Sequence, residues 1–199
     1  MNARAAGGRA PGRPLDEQAS DDIVDAAVAL VGEEGFGGVT VDGVARRAGV
    51  SKATIYRRWP TKEALLLDAA RCLTGDADAL PDTGSLRGDL RALYAGLVPA
   101  LHDGVAGRLL PELVAEGTRR PEIRALLAAF SDDRRRRWRA VVERAAARGE
   151  LVDGVDVEVT VDCLTGPLFT RVLVTGRPLD DELVEAVLDV VLAGVVRRR

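Results

Sequence analysis

Apolar residues recur three and four positions apart along most of this chain, in stretches separated by glycine, proline and capping residues. That is the period of amphipathic helices. A first helix is predicted from about Glu17 to Glu34, with Ile23, Ala26, Ala27, Leu30 and Val31 on one face and Gly35 to stop it. Phe36 follows as a plug for the core beneath. Thr40 is placed to cap a short second helix whose apolar face is Val41, Val44, Ala45 and Ala48, and Gly49 stands where a helix end favours positive φ. Ser51 caps a third, from Lys52 to about Arg58. Pro60 ends it, because the residue before a proline is pushed out of helical φ/ψ. Thr61 opens a fourth, from Lys62 to about Thr74.

Turn formers then crowd residues 75–84. Ser85 caps a helix with Leu86, Leu90, Leu93, Leu97 and Leu101 on one stripe and Pro99 near its end. Val105 to Glu116 forms the next, with Pro111 expected to bend it or to mark a start nearer Leu110. Pro121 lies in the first turn of a long helix reaching about Arg148. Asp156 caps a helix from Val157 to about Thr175, which Gly166-Pro167 is expected to interrupt, and Asp180 caps the last. Val159 and Val161 alternate as in a strand, but the apolar residues downstream continue at helical spacing. The expectation is an all-α chain of about nine helices. A disordered arm covers 1–16, a three-helix head 17–66, and a larger helical domain 67–199.

Two short helices joined by a glycine turn make a helix-turn-helix, a unit that lays its second helix in the DNA major groove. Charge supports this reading. The chain carries a formal net charge of −3, yet from Val44 to Lys62 the charged residues are Arg46, Arg47, Lys52, Arg57, Arg58 and Lys62, with no acid among them. A positive patch on a negative protein is the footprint of phosphate contact. The arm brings Arg4, Arg9 and Arg13, which are either a floppy tail or a reach into a neighbouring groove.

The segment GVSKATIYRRWPTKEALL resembles the recognition-helix signature of the tetracycline-repressor (TetR) family of bacterial regulators. The pattern is Gly-Val-Ser-x-x-Thr-aliphatic-Tyr-x-x-aromatic-x-x-Lys-x-x-Leu, met here by Gly49, Val50, Ser51, Thr54, Ile55, Tyr56, Trp59, Lys62 and Leu65. Trp59 stands where phenylalanine is usual. The resemblance is strong over about Ile23 to Leu66 and architectural beyond. It implies that Thr40, Ser51, Thr54, Tyr56 and Lys62 contact phosphates. Lys52, Ala53 and Arg57 fall on the exposed face of the recognition helix. Lys52 and Arg57 can donate to guanine, and Ala53 can meet a thymine methyl. Arg46 adds to the same positive segment.

The resemblance also implies a homodimer on a near-palindromic double-stranded operator, and a small-molecule effector that releases DNA by moving the fourth helix. Candidate lining residues are Leu97, Leu110, Val114, Phe130, Trp138 and Phe169, a set poor in polar groups that suits a lipophilic effector. The last two helices are apolar nearly all round and need cover from a second molecule. Leu164, Leu168, Val172, Leu183, Val187, Val191 and Val195 are the expected interface. Repression is the default reading; an activator, or a module that binds a protein through its helix-turn-helix, is the alternative.

Other chemistry finds little support. One histidine, His102, and two cysteines, Cys72 and Cys163, offer no metal spacing, and both thiols are expected to be buried and inert rather than a redox pair. No cofactor motif or nucleophile arrangement appears, so an enzyme is not expected. The run DDRRRRWR from Asp132 to Arg139 reads as a solvated helix face rather than a nucleic-acid patch. No apolar run suits a membrane span and no signal peptide is visible, which points to a cytoplasmic protein.

Overall fold

The computed structural model describes residues 15–73 and 80–197. It holds nine α-helices among those residues: α1 (Leu15–Gly38), α2 (Val41–Ala48), α3 (Lys52–Arg58), α4 (Lys62–Leu73), α5 (Leu86–His102), α6 (Val105–Arg119), α7 (Pro121–Ala147), α8 (Val157–Thr170) and α9 (Asp181–Val195). The arm with Arg4, Arg9 and Arg13 lies outside the described residues, as does the side chain of Cys72.

Local signals set most boundaries. Thr40, Ser51, Ser85, Asp156 and Asp180 each accept a bond from a backbone amide in the first turn of the helix that follows. Each satisfies a donor that the helix itself leaves open. Gly35 takes φ 70° and ψ 176°, which breaks α1 into a long piece and a final turn. Gly49 takes φ 67°. Its amide bonds Arg46 O while that of Val50 bonds Ala45 O, a Schellman closure that sets the sharp turn into α3.

Three details depart from expectation. α8 passes through Gly166-Pro167 without a break and continues to Thr170; the irregularity is a π-helical turn at Arg171–Thr175, closed by Gly176 at φ 63°. Pro167 removes one backbone donor from the helix. Pro111 sits inside α6, which runs three residues past the expected end, to Arg119. Leu151 and Val196 form an isolated antiparallel bridge that ties the chain's end to the loop after α7.

α1 packs on α2 and α4 to build the head, and α4 and α6 carry it onto the remaining helices. One continuous core joins Ile23, Val44, Ile55, Trp59 and Leu65 in the head to Leu90, Leu113, Val141, Leu164 and Leu188 beyond it. Two polar groups are built into that core. Tyr94, 1% exposed, donates its hydroxyl to Leu164 O at 2.6 Å and meets Trp138 edge-on at 4.8 Å. Burial pushes its phenol pKa up. Asp89 has no exposure and gathers Thr83, Arg144 and Arg148 around one carboxylate, pinning the start of α5 to the end of α7.

Candidate functional site

The head presents its third helix outward. Ile55 and Trp59 are buried beneath α3, whereas Ser51, Lys52, Ala53, Tyr56 and Arg57 are exposed along its other side. Tyr56 leaves 49% of its surface in solvent. Thr40 and Arg46 are exposed on the preceding helix and its cap, and Thr54 is half-buried, its hydroxyl 2.9 Å from that of Ser51. These groups lie on one continuous stretch of chain.

Lys62 is placed differently from its neighbours on that list. Its ammonium donates to Phe36 O at 3.1 Å and sits 4.4 Å from the centre of the Phe36 ring. In this structure it fastens α4 to the turn after Gly35, and Phe36 serves as much for this contact as for the core.

The positive segment is less bare of acids than its local sequence shows. Arg47 makes two bonds of 2.7 Å to Glu33 of α1, and that pairing holds the Glu33 carboxyl below the usual carboxylate range. Lys52 reaches Asp42, at the start of α2, at 2.8 Å, and this bond raises its ammonium pKa. Arg58 donates to Ser20 and lies over Trp59. Both carboxylates come from outside the run that the charge count covers.

A second feature lies below the head. A cavity of about 460 Å³ opens between α4, α5, α6, α7 and α8, a size usual for small-molecule sites. Leu97, Leu110, Val114, Phe130, Trp138 and Phe169 all line it. Two contributions were not foreseen. Leu67 and Ala70 bring α4 into the wall, and Arg134, Arg135 and Arg137 bring charge to it. The first is not visible in sequence because Leu67 and Ala70 lie far along the chain from the other lining residues. The second was hidden because the arginine run was assigned to open solvent.

Known proteins resemble this chain over nearly its whole length. Residues 23–69 match the model of "Bacterial regulatory proteins, tetR family", and residues 80–191 match "Tetracyclin repressor-like, C-terminal domain". The chain belongs to the TetR family. The HTH-type transcriptional regulator YdeS of Bacillus subtilis is 36% identical over 174 residues, 87% of each chain. The DNA-binding transcriptional repressor TetR of Mycobacteroides abscessus is 32% identical over 91% of this chain and 95% of its own. The crystal structure of TetR family transcription regulator SCO0332 superposes with a TM-score of 0.76 at 32% identity, covering 90% of this chain and all of that one. Membership makes the chain a DNA-binding transcriptional regulator and not an enzyme.

For this TetR-family chain the apolar end helices need a correction. Leu164 and Leu168 have no exposure and face the chain's own core, so they cannot form an outer face. Leu183 and Val187 are 7% exposed and form the floor of a groove between α8 and α9. Val191 and Val195 line that groove, and Val172 packs on the core away from it. Its outer walls are Val159, Cys163, Pro167 and Val190, with Val190 77% exposed. The stripe through Val161, Leu164 and Leu168 is covered by the chain's own helices. Cys163, expected to be buried, is therefore exposed.

The arginine run also differs from an open face. Arg135 bonds Asp162 at 2.5 Å and Glu158 at 2.8 Å, and Arg139 pairs with Glu158 as well. These pairs stitch α7 to α8. His102 is exposed and 3.8 Å from Asp103, outside any arrangement of nucleophile and base. Among the described residues no helix is long and apolar enough to cross a membrane.

Proposed function

We propose that this regulator binds a near-palindromic operator as a homodimer, represses the adjoining promoter, and is released by a small lipophilic effector. The observation that carries the reading is α3: a capped helix, buried on one side through Ile55 and Trp59, that holds Lys52, Ala53, Tyr56 and Arg57 together on the other. Lys52 and Arg57 would donate to base edges, Ala53 would meet a thymine methyl, and Thr40, Ser51, Thr54 and Tyr56 would fix register on phosphates. Arg46 would add charge beside them. Lys62 would act mainly through the Phe36 contact that orients the start of α4.

The groove between α8 and α9 supports the dimer. It is an exposed apolar surface on helices whose other sides are already packed. Two copies joined there would carry two recognition helices to half-sites about 34–36 Å apart or a larger multiple. The cavity supports the effector. Its wall includes α4, so a ligand inside would press on the helix that enters the head. It would release DNA only by preferring the conformation that fits the operator badly.

Selection of genomic fragments by the purified protein at 50 and 200 mM salt tests the reading. The expected result is a near-palindromic site whose affinity falls by roughly 10³–10⁵ between those salts, as for a protein neutralising six to ten phosphates. Capture of no specific sequence, or binding indifferent to salt, would refute it. Where the site lies relative to the promoter separates repression from activation.

A further inference from the structure

Residues 39–62 carry one acidic side chain, Asp42, among six basic ones. Asp42 stands in the first turn of α2 and Lys52 in the first turn of α3. The turn at Gly49 folds one helix start against the other, and Lys52 Nζ lies 2.8 Å from Asp42 Oδ1. Both side chains keep more than half their surface in solvent, so the pair adds little to stability. Tyr56, one turn further along the exposed side of α3, acts on the same ammonium. Asp42 thus borders the surface that holds the recognition residues. A carboxylate there is repelled by phosphate and lowers affinity for DNA of any sequence.

Resting on the reading of α3 as the helix that enters the major groove, we infer that Asp42 is a specificity-determining residue: Lys52 and Asp42 read one G·C pair per half-site as a unit, the ammonium on guanine and the carboxylate on cytosine. If the pair opened on DNA, Asp42 would face the phosphates with its partner gone. If it enters the groove closed, the carboxylate needs a donor, and the donors on the major-groove edges are the amino groups of cytosine and adenine. Guanine offers N7 and O6 to a lysine, and cytosine N4 stands next to O6. O6 and N4 are themselves bonded within the base pair, at the ~2.9 Å usual for N–H···O. The Nζ–Oδ1 spacing of 2.8 Å matches it. N4 keeps a second hydrogen for Asp42, and O6 a second lone pair for Lys52. An A·T pair also sets an acceptor beside a donor, thymine O4 beside adenine N6, but a methyl group flanks O4 where guanine has its second acceptor. Reversing the pair sets the carboxylate against guanine acceptors.

The test selects from a pool of duplexes randomised over about three helical turns, using the full chain and its Asp42→Ala, Lys52→Ala and doubly substituted variants. Thermal circular dichroism confirms that each folds. The wild type is expected to fix a G·C pair at one position of each half-site, with a preference over A·T and over C·G of roughly 5- to 100-fold, the span of one good base contact. Each single variant should lose most of that preference at that same position and keep the others, and the double variant should lose no more than the singles. Fluorescence anisotropy on an A·T-only duplex reads the sequence-independent part. Asp42→Ala should bind it roughly 2- to 30-fold more tightly, an exposed pair being released in each of two heads. Tighter binding with every base preference intact would show a charge brake without readout and overturn the inference. Losses at different positions for the two single variants, or an Asp42→Ala variant identical to wild type, would overturn it too. A wild type that fixes no sequence overturns the operator reading on which the inference rests.

Discussion

Replacing Asp89 with asparagine removes one negative charge from a side chain with no solvent exposure and leaves its shape nearly unchanged. The wild-type carboxylate accepts from Thr83 N at 2.6 Å, Thr83 Oγ1 at 2.9 Å, Arg144 at 2.8 Å and Arg148 at 3.3 Å. An asparagine amide would point donors at guanidinium donors. Breaking a buried ion pair costs about 3–5 kcal/mol, but both arginines keep roughly a quarter of their side chains in water, so about 2–4 kcal/mol is expected. At about 2–4 °C per kcal/mol for a chain of this length, the melting temperature should fall by about 4–16 °C at pH 7. The pH dependence has a definite sign. Burial pushes the Asp89 carboxyl up, but the Thr83 amide, Arg144 and the Thr83 hydroxyl outweigh it, and the net shift is downward. A depressed folded value means stability present above the unfolded pKa of about 3.9 and lost as pH falls through the folded value. The gap between wild type and Asp89→Asn should therefore narrow on acidification below about pH 4. Thermal circular dichroism at fixed protein concentration from pH 7 to pH 3 measures both. A variant melting within about 2 °C of wild type at pH 7, or a gap constant across the range, would refute the argument.

Three further outcomes are expected. Tyr94→Phe loses the buried bond to Leu164 O and should cost about 1–2 kcal/mol, read by urea denaturation; an unchanged midpoint would mean the bond contributes nothing net. Val190→Asp, on the exposed wall of the α8–α9 groove, should shift sedimentation from dimer to monomer with helix content retained; a surviving dimer would place the interface elsewhere. Lys62→Ala releases the turn at Phe36 and should weaken operator binding by roughly tenfold in fluorescence anisotropy, whereas a folded variant of wild-type affinity would remove Lys62 from the binding machinery.

The head was legible because its signals are local. A cap and the amide it satisfies are three residues apart, so Thr40, Gly49 and Ser51 announce α2, the turn and α3 without knowledge of the rest of the chain. The cavity was legible in part for the same reason. Leu97, Leu110, Val114, Phe130, Trp138 and Phe169 stand on helical stripes, and helices of a small bundle turn such stripes toward one another. Contacts between distant residues were hidden. Glu33 is 14 residues from Arg47, and Asp162 is 27 from Arg135, so a count along the chain assigned those arginines to DNA or to solvent. α8 failed for another reason: Val157, Val161, Leu164 and Leu168 form a stripe at helical spacing, but spacing does not say whether the chain's own helices or a second copy covers it, and packing against α7 turns Leu164 in and leaves Cys163 out.

α4 joins the two halves physically, and its contacts say what an effector would have to change. Its Asp68 accepts from Trp59 Nε1 at 2.9 Å, which fastens the end of the recognition helix. Its Leu67 and Ala70, one and two positions from Asp68 along the helix, stand in the cavity wall. Its Glu63, 8% exposed, receives Arg120 at 3.1 Å, and Arg120 lies at the junction of α6 and α7. One helix thus touches the reading head, the cavity and the bundle within two turns. A ligand that displaced Leu67 could not leave Asp68 in place, because adjacent residues of a helix move together. Either the Trp59 bond would stretch or α3 would follow it. In a close-packed interior such a shift is discrete rather than graded. The Trp59–Asp68 bond is therefore the contact to watch when ligand is added. Asp68→Ala should keep ligand affinity while reducing the loss of operator binding that ligand causes, measured as the ratio of operator affinities with and without ligand. A ratio equal to that of wild type would show that α4 passes the signal through the apolar packing of Leu65 and Leu66 instead.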